Sequence, residues 1–295
     1  MRGAHPERDV ERALEESGSL ARGERVLVAC SGGPDSVALA AALQAVSKRM
    51  HLSVAAAYVN HGLRASAWQD ECVVLQIGAR FGMPVEVLAL EAGGAGEARL
   101  REGRYAALVA AAERRGCGAI ATAHHAEDQS ETVLLALLRG AGLEGLRGMR
   151  GRRALAPGIE LVRPFIALPS ETLRAYCHAL ALPYAVDPSN AAMSLRRNAV
   201  REALEALRPL FPGLDAAVAR AAEVAAHEGD ATERAELRRS VREELSREDD
   251  LRDIDFRHVE AAVRALEAGR TGTFLMKPGV ALRIERGSIA GITRK

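Results

Sequence analysis

Residues 25–40, RVLVACSGGPDSVALA, restrict the fold of this chain more than any other stretch. Arg25–Cys30 is a short, β-branched-rich apolar run that stops at Ser31-Gly32-Gly33. Pro34, Asp35 and Ser36 follow, and then alanines and leucines at helical spacing. The pattern predicts a strand, a tight turn, and a helix with Pro34 at its first position, where a missing N–H costs nothing. Such a turn aims unpaired backbone N–H groups and the positive helix end at one point, which makes an anion site. Gly32 and Gly33 keep side chains out of the way, and Ser31 and Ser36 add hydroxyl donors. Asp35 is the odd member, because a carboxylate beside bound phosphate repels it unless a cation lies between them. It reads as a Mg²⁺ contact. The turn lacks the Gly-Lys-Ser/Thr of a Walker A loop and is not a GxGxxG dinucleotide turn.

Downstream, apolar runs and helical patterns alternate. Strands are predicted at Leu52–Asn60, Pro84–Leu90 and Gly118–Ala123, and helices at about 66–81 and 97–115, with a polar amphipathic helix at 6–22 ahead of the first strand. Near-continuous apolar strands alternating with helices predict an α/β fold, a doubly wound parallel sheet covered on both faces. Ligands of such sheets bind at the carboxyl ends of the strands. Three polar clusters fall there: SGGPDS (31–36), NHGLR (60–64) and HHAEDQSET (124–132).

Composition excludes several classes. With 48% hydrophobic and 27% charged residues the chain reads as an ordinary globular protein. A net charge of +1 gives no global argument for nucleic acid, so any such case has to be local. The four cysteines, Cys30, Cys72, Cys117 and Cys177, form no CxxC pair, which disfavours zinc or an iron–sulfur cluster and suits a reducing compartment. No run approaches the roughly 20 apolar residues of a membrane span. The N-terminal MRGAHPERDVERAL lacks a signal-peptide core. The expectation is a cytoplasmic protein with no membrane partner.

Each cluster admits a bland reading beside the functional one. His61 and Arg64 either contact a nucleotide or belong to a turn capped by Asn60. Arg101 and Arg104, three apart on a helix that also carries Arg99, either hold phosphates or form a solvated face. In HHAEDQSET, Glu127, Asp128 and Glu131 occupy the first turns of a helix, where acids cap favourably. Asp128 and Glu131 at i, i+3 could instead bind an ammonium group and take its proton when the amine attacks. A metal site with His124 and His125 is a third option. Residues 139–149, with four glycines, are expected to be a flexible cationic loop rather than a helix. Val162–Leu168 reads as a strand ending at Pro164, and Ser170–Leu180 as a helix capped by Ser170. Residues 187–201 combine an Asx/Pro turn with Arg196, Arg197 and Arg201, a local basic patch or an ordinary helix surface. A domain boundary is placed near 213–216, dividing 1–213 from a smaller, mainly helical 214–295. The second part closes on a β-hairpin around Pro278-Gly279 and Arg286-Gly287.

The SGGPDS loop is similar to the SGGxDS pyrophosphate loop of the N-type ATP pyrophosphatases (PP-loop enzymes, Rossmann-like), which split ATP into AMP and pyrophosphate. Over residues 25–213 the chain resembles the tRNA(Ile)-lysidine synthetases. The signatures are SGGPDS, NHGLR, LREGRY (100–105), HHAEDQSETVLLALLRGAGLEGLRGM (124–149), VRPF (162–165), DPSN (187–190) and RRNAVR (196–201). Glu127 replaces the family's usual first Asp of its block, and Leu195 stands where an aromatic is usual.

The resemblance implies ATP and Mg²⁺ as cofactors, and a minor isoleucine tRNA with a CAU anticodon and free lysine as partners. ATP would adenylate the pyrimidine O2 of the wobble cytidine, and lysine's amine would displace AMP to give lysidine. Ser31, Gly32, Gly33, Pro34 and Ser36 would hold pyrophosphate with His61 and Arg64 nearby, and Asp35 the Mg²⁺. Asp128 and Glu131 would orient lysine, and Arg101 and Arg197 would meet the cytidine or the AMP phosphate. A homodimer is expected on family grounds alone.

Overall fold

A computed structural model describes residues 6–60, 62, 67–90, 97–141, 143–185, 195–228, 233–248 and 256–294. The chain divides into two compact units, Met1–Leu135 with Met149–Ala219, and Ala136–Gly148 with Arg220–Lys295.

The first unit is built on a six-stranded sheet of order β3-β2-β1-β4-β6-β5. Its strands are β1 (Arg25–Ala29), β2 (Ser53–Asn60), β3 (Val85–Ala89), β4 (Ala119–Ala121), β5 (Arg152–Ala156) and β6 (Ile159–Val162). All neighbours run parallel except β5, which returns antiparallel along β6 at one edge. Side chains alternate along each strand, and both faces are apolar. Val26 and Val28 face one core, together with α1 (Pro6–Glu16), α2 (Pro34–Met50), α3 (Ala67–Phe81) and α7 (Ser170–Ala179). Leu27 faces the other, under Leu108, Ala111 and Ala112 of α4 (Glu97–Arg115). The doubly wound parallel sheet expected from the apolar runs is therefore present.

Arg152 ties the edge strand back to the start of the sheet, donating to the Ser19 carbonyl at 3.1 Å and to Glu24 at 2.9 Å, besides pairing with Glu160 on β6. Helices α5 (Ala126–Leu138) and α8 (Leu195–Leu207) pack through Leu135, Val200 and Leu204.

Three local expectations are corrected. The run at 162–168 is not a strand: β6 ends at Val162, and Pro164, which has no N–H to give a ladder, lies beyond it. The glycine-rich stretch contains a one-turn helix, α6 (Leu143–Leu146). Helix α7 takes no side-chain cap from its own first residues.

Within the second unit, α10 (Glu233–Glu248) and α11 (Phe256–Glu267) cover an antiparallel meander of β7 (Gly272–Lys277), β8 (Val280–Glu285) and β9 (Ser288–Arg294). This is one strand more than the expected hairpin, because both Gly-containing turns reverse the chain. Helix α9 (Leu214–Glu228) bridges the division. The Arg238 guanidinium, 1% exposed, is paired with Glu260. Among the described residues no helix is long and apolar enough to cross a membrane.

Candidate active site

The turn after β1 is locked from several sides. Gly32 sits at φ +86°, where a side chain is strained, and a Cβ there would stand 2.9 Å from the Asp70 carbonyl oxygen at the start of α3. Its own carbonyl accepts from Ala185 N at 2.9 Å. The Ser36 hydroxyl accepts from Ser31 N and from Ser31 Oγ, each at 3.1 Å, and donates to the Gly33 carbonyl at 2.9 Å. Ser36 thus closes the turn on itself as well as facing the cleft. Gly33 is the N-cap of α2 and brings no side-chain cap, so the helix's first N–H groups stay available to an anion. A Cβ on Gly33 would meet nothing closer than Ser31 Oγ at 3.7 Å. What its absence keeps open is the cradle.

That cradle floors a cleft of about 390 Å³ at the carboxyl ends of β1, β2 and β4. Ser31, Gly33, Asp35 and Ser36 line one side, with Asn60 at the end of β2, Arg104 and Tyr105 on α4, His124 just ahead of α5 and Asp128 in its first turn. Asn60 Oδ1 also accepts from Gly62 N at 2.9 Å, so it holds its own turn. Residues of SGGPDS and HHAEDQSET meet here, and of NHGLR only Asn60 is among the described lining residues.

The carboxylates divide by environment. Burial pushes the Asp35 carboxyl above its ordinary range; His125 opposes this and Asp128 adds to it. Asp35 Oδ1 is buried and has no hydrogen-bond partner among the described residues, a costly state that a cation would relieve. No group of three or more possible metal ligands occurs among the described residues. A cation here would draw its remaining ligands from phosphate oxygens and water, as Mg²⁺ does. The residues fit Mg²⁺ and do not form a metal cage with His124 and His125.

The two histidines part company. His124 Nδ1 lies 2.9 Å from Thr122 Oγ1. Burial first, and then the nearby arginines, take its pKa down to about 4 against the pull of Asp128. Its imidazole is neutral at pH 7. His125 faces three acids, with Nδ1 2.9 Å from Glu127 Oε2 and Nε2 3.5 Å from Asp128 and 3.8 Å from Asp35. Burial lowers its pKa, but these carboxylates outweigh burial and raise it above the ordinary value.

Glu127 does more than cap its own helix. Its carboxylate accepts from Ser170 N at 3.0 Å and Ser170 Oγ at 2.9 Å, so it caps α7 from 43 residues away. Burial raises its pKa, yet His125 and Ser170 together hold it down at about 2. Asp128 combines both readings: Oδ2 accepts from His125 N at 3.1 Å, and the residue lines the cleft. Glu131 is 5% exposed and bonded to Arg201 on α8. It is not among the cleft-lining residues.

The arginines also sort themselves. Arg104 lines the cleft and burial lowers its pKa, whereas Arg101 is exposed. Both guanidiniums stand near the Tyr105 ring, at 5.6 Å for Arg101 and 5.7 Å for Arg104. Arg197 is half-buried on α8 and is not a lining residue. His61, Arg64 and residues 187–190 lie outside the described residues. Sequence reasoning missed the linking role of His125 and Glu127. Its one signal was Glu127 itself, longer than the Asp usual in the block.

The chain is 41% identical over 227 residues to a tRNA(Ile)-lysidine synthase of Streptomyces coelicolor, covering 75% of this chain and 64% of that protein. It is 44% identical over 207 residues to the enzyme of the same name from Salinispora tropica, covering 68% and 62%. The chain thus spans a little under two thirds of the length of these relatives. Among solved structures, a U34-tRNA thiolase from Methanococcus maripaludis superposes with a TM-score of 0.63 over 73% of this chain and 77% of that one. At 17% identity this likeness concerns the fold alone. The model of the PP-loop domain matches residues 4–207. The chain belongs to the PP-loop domain family.

Proposed function

We propose that this chain ligates lysine to the wobble cytidine of a minor isoleucine tRNA with a CAU anticodon, using ATP and Mg²⁺ and giving lysidine, AMP and pyrophosphate. The observation that carries the reading is the cleft itself, where an open helix N-terminus, an orphaned Asp35 oxygen and Asp128 converge, in a chain 41% identical to a tRNA(Ile)-lysidine synthase. In this reading the backbone of Ser31–Gly33 and the first turn of α2 hold the leaving pyrophosphate. Mg²⁺, held by Asp35 and phosphate oxygens, would supply charge neutralisation. Arg104, rather than Arg101, faces the charge that develops on phosphorus. The pyrimidine O2 forms a bond to the α-phosphorus as pyrophosphate leaves. The lysine amine then bonds to C2 and AMP departs with the oxygen. Asp128 holds the incoming amine and accepts its proton, while Glu131 positions α8 through Arg201. Arg197 contacts the RNA backbone. His61 and Arg64 approach the nucleotide. Free lysine and a homodimeric assembly belong to the same reading.

Thiolation, as in the structural relative, is disfavoured by the cysteines. Cys30, Cys117 and Cys177 are buried and Cys72 stands exposed without a second exposed thiol beside it, and burial pushes the Cys177 thiol up to about 12. The test is AMP formation from Mg·ATP together with transfer of radiolabelled lysine to a CAU-anticodon isoleucine tRNA. Label in the tRNA that depends on both ATP and that anticodon is expected. ATP cleavage without lysine transfer overturns the substrate assignment, and no cleavage overturns the enzyme reading.

A further inference from the structure

The first turn of α3 is a held piece of the cleft wall that has no part in the chemistry above. Ala67 and Asp70 line the cleft. The Ala67 carbonyl accepts from Tyr58 Oη at 3.0 Å, and the Asp70 backbone presses against Gly32, where even a methyl group would clash. Between these pinned residues stands Trp68, the one tryptophan of the chain, with 61% of its surface exposed.

Exposure alone means little, since single apolar residues are common on surfaces. Position is what matters here. Aromatics make up only 3% of this sequence, and the largest of them is left out of an alanine-rich core and set on a helical turn two of whose residues, Ala67 and Asp70, line the site. We propose that Trp68 is a substrate-positioning residue that stacks on an unpaired base of the RNA substrate, beside the base that enters the cleft. The proposal rests on the reading of an RNA substrate given above.

Enzymes acting on one base of a loop must splay it from its neighbours, and an unstacked neighbour needs a new partner. An indole fixed at the rim offers its face to any base, so it would hold the loop without reading sequence. A rival occupant is a protein surface. Cys72 and Leu75, at i+4 and i+7 from Trp68, are also exposed, so the residue heads an apolar stripe down α3. The RNA base is favoured because Trp68 shares its turn with two cleft-lining residues, whereas Leu75 lies two turns away.

Because Trp68 is the only tryptophan, intrinsic emission of the full chain reports on it directly. The experiment titrates an end-labelled RNA hairpin carrying the CAU loop, following label anisotropy for binding and tryptophan emission for stacking. The variants Trp68→Phe, Trp68→Ala and Leu75→Ser are run in parallel. Expected are quenching by RNA and not by Mg·ATP, about tenfold weaker binding for Trp68→Ala, a smaller loss for Trp68→Phe, and none for Leu75→Ser. Unchanged emission with full RNA affinity in Trp68→Ala overturns the proposal while leaving the RNA reading intact. Quenching by Mg·ATP alone assigns the indole to the nucleotide and overturns it. Equal losses for Trp68→Ala and Leu75→Ser point to a continuous docking face and overturn it as well. Failure of the hairpin to bind at all removes the RNA reading and this proposal together.

Discussion

Arg201 Nε donates to Glu131 Oε1 across 2.7 Å, and Arg201 Nη2 to Oε2 across 3.2 Å, joining α8 to α5. Glu131 is therefore a brace between helices before it is anything else. Arg201→Ala leaves a buried carboxylate without its partner and is expected to destabilise the first unit by about 1–3 kcal/mol, read from urea denaturation. Asp128→Asn is expected to keep the denaturation midpoint and raise the lysine concentration needed for transfer. Glu131→Gln is expected to shift the midpoint more than the lysine requirement. The reverse pattern would return Glu131 to the substrate.

The two glycines of the loop serve different ends. Gly32→Ala forces a methyl onto the Asp70 carbonyl at a left-handed position and is expected to lower stability by about 1–3 kcal/mol. Gly33→Ala has neither problem, since its nearest neighbour would be 3.7 Å away. It is expected to melt within about 0.5 kcal/mol of the parent and to lose nucleotide binding by calorimetry. A Gly33→Ala protein that binds ATP normally would show that the anion sits elsewhere.

Arg104 lines the cleft and Arg101 is exposed. Arg104→Ala is expected to slow AMP formation by about 10²-fold, and Arg101→Ala by less than about tenfold. Single-turnover assays at saturating ATP separate the two, and equal effects would put both guanidiniums at the phosphates.

Glu127 and His125 give the ligand-free protein a bounded pH range of stability. Glu127 is held at about 2 against an ordinary 4.5, so its contribution is present above 4.5 and is lost as pH falls toward 2. His125 is raised above 6.5, so its contribution is full below 6.5 and is lost as pH climbs through the higher folded value. Thermal midpoints measured across pH should therefore fall at both ends. Glu127→Gln should flatten the acid limb, and His125→Asn the alkaline one. A Glu127→Gln protein with an unchanged acid limb would place that titration on another carboxylate.

Periodicity carried the parallel strands and the loop between β1 and α2, because each is written within a dozen residues. What escaped it depends on partners far along the chain. An i, i+3 spacing put Asp128 and Glu131 on one face but could not show Arg201, 70 residues on, taking up the second carboxylate. Equal spacing likewise offered Arg101 and Arg104 as a pair, and only the packing of α4 on the sheet decided which one reaches the cleft. Strand β5 lies at an edge with three of its five residues half-buried, too little apolar pattern to announce itself. The cap on α7 comes from Glu127, and no local rule looks for a cap in a different helix.

The sheet order has a consequence for the newborn chain. β1 lies in the middle, flanked by β2 and by β4, and β4 in turn needs β6. On the ribosome the loop and its helix emerge early, yet β1 keeps an unpaired apolar edge until residue 121 has been made. Its neighbour β4 waits in the same way for residue 162. Any fragment cut before the end of β6 carries a sticky strand edge, also leaves Glu127 without the helix it caps, and is expected to aggregate rather than bind nucleotide. The smallest piece of this protein worth expressing is set by strand order and not by where the recognisable loop ends.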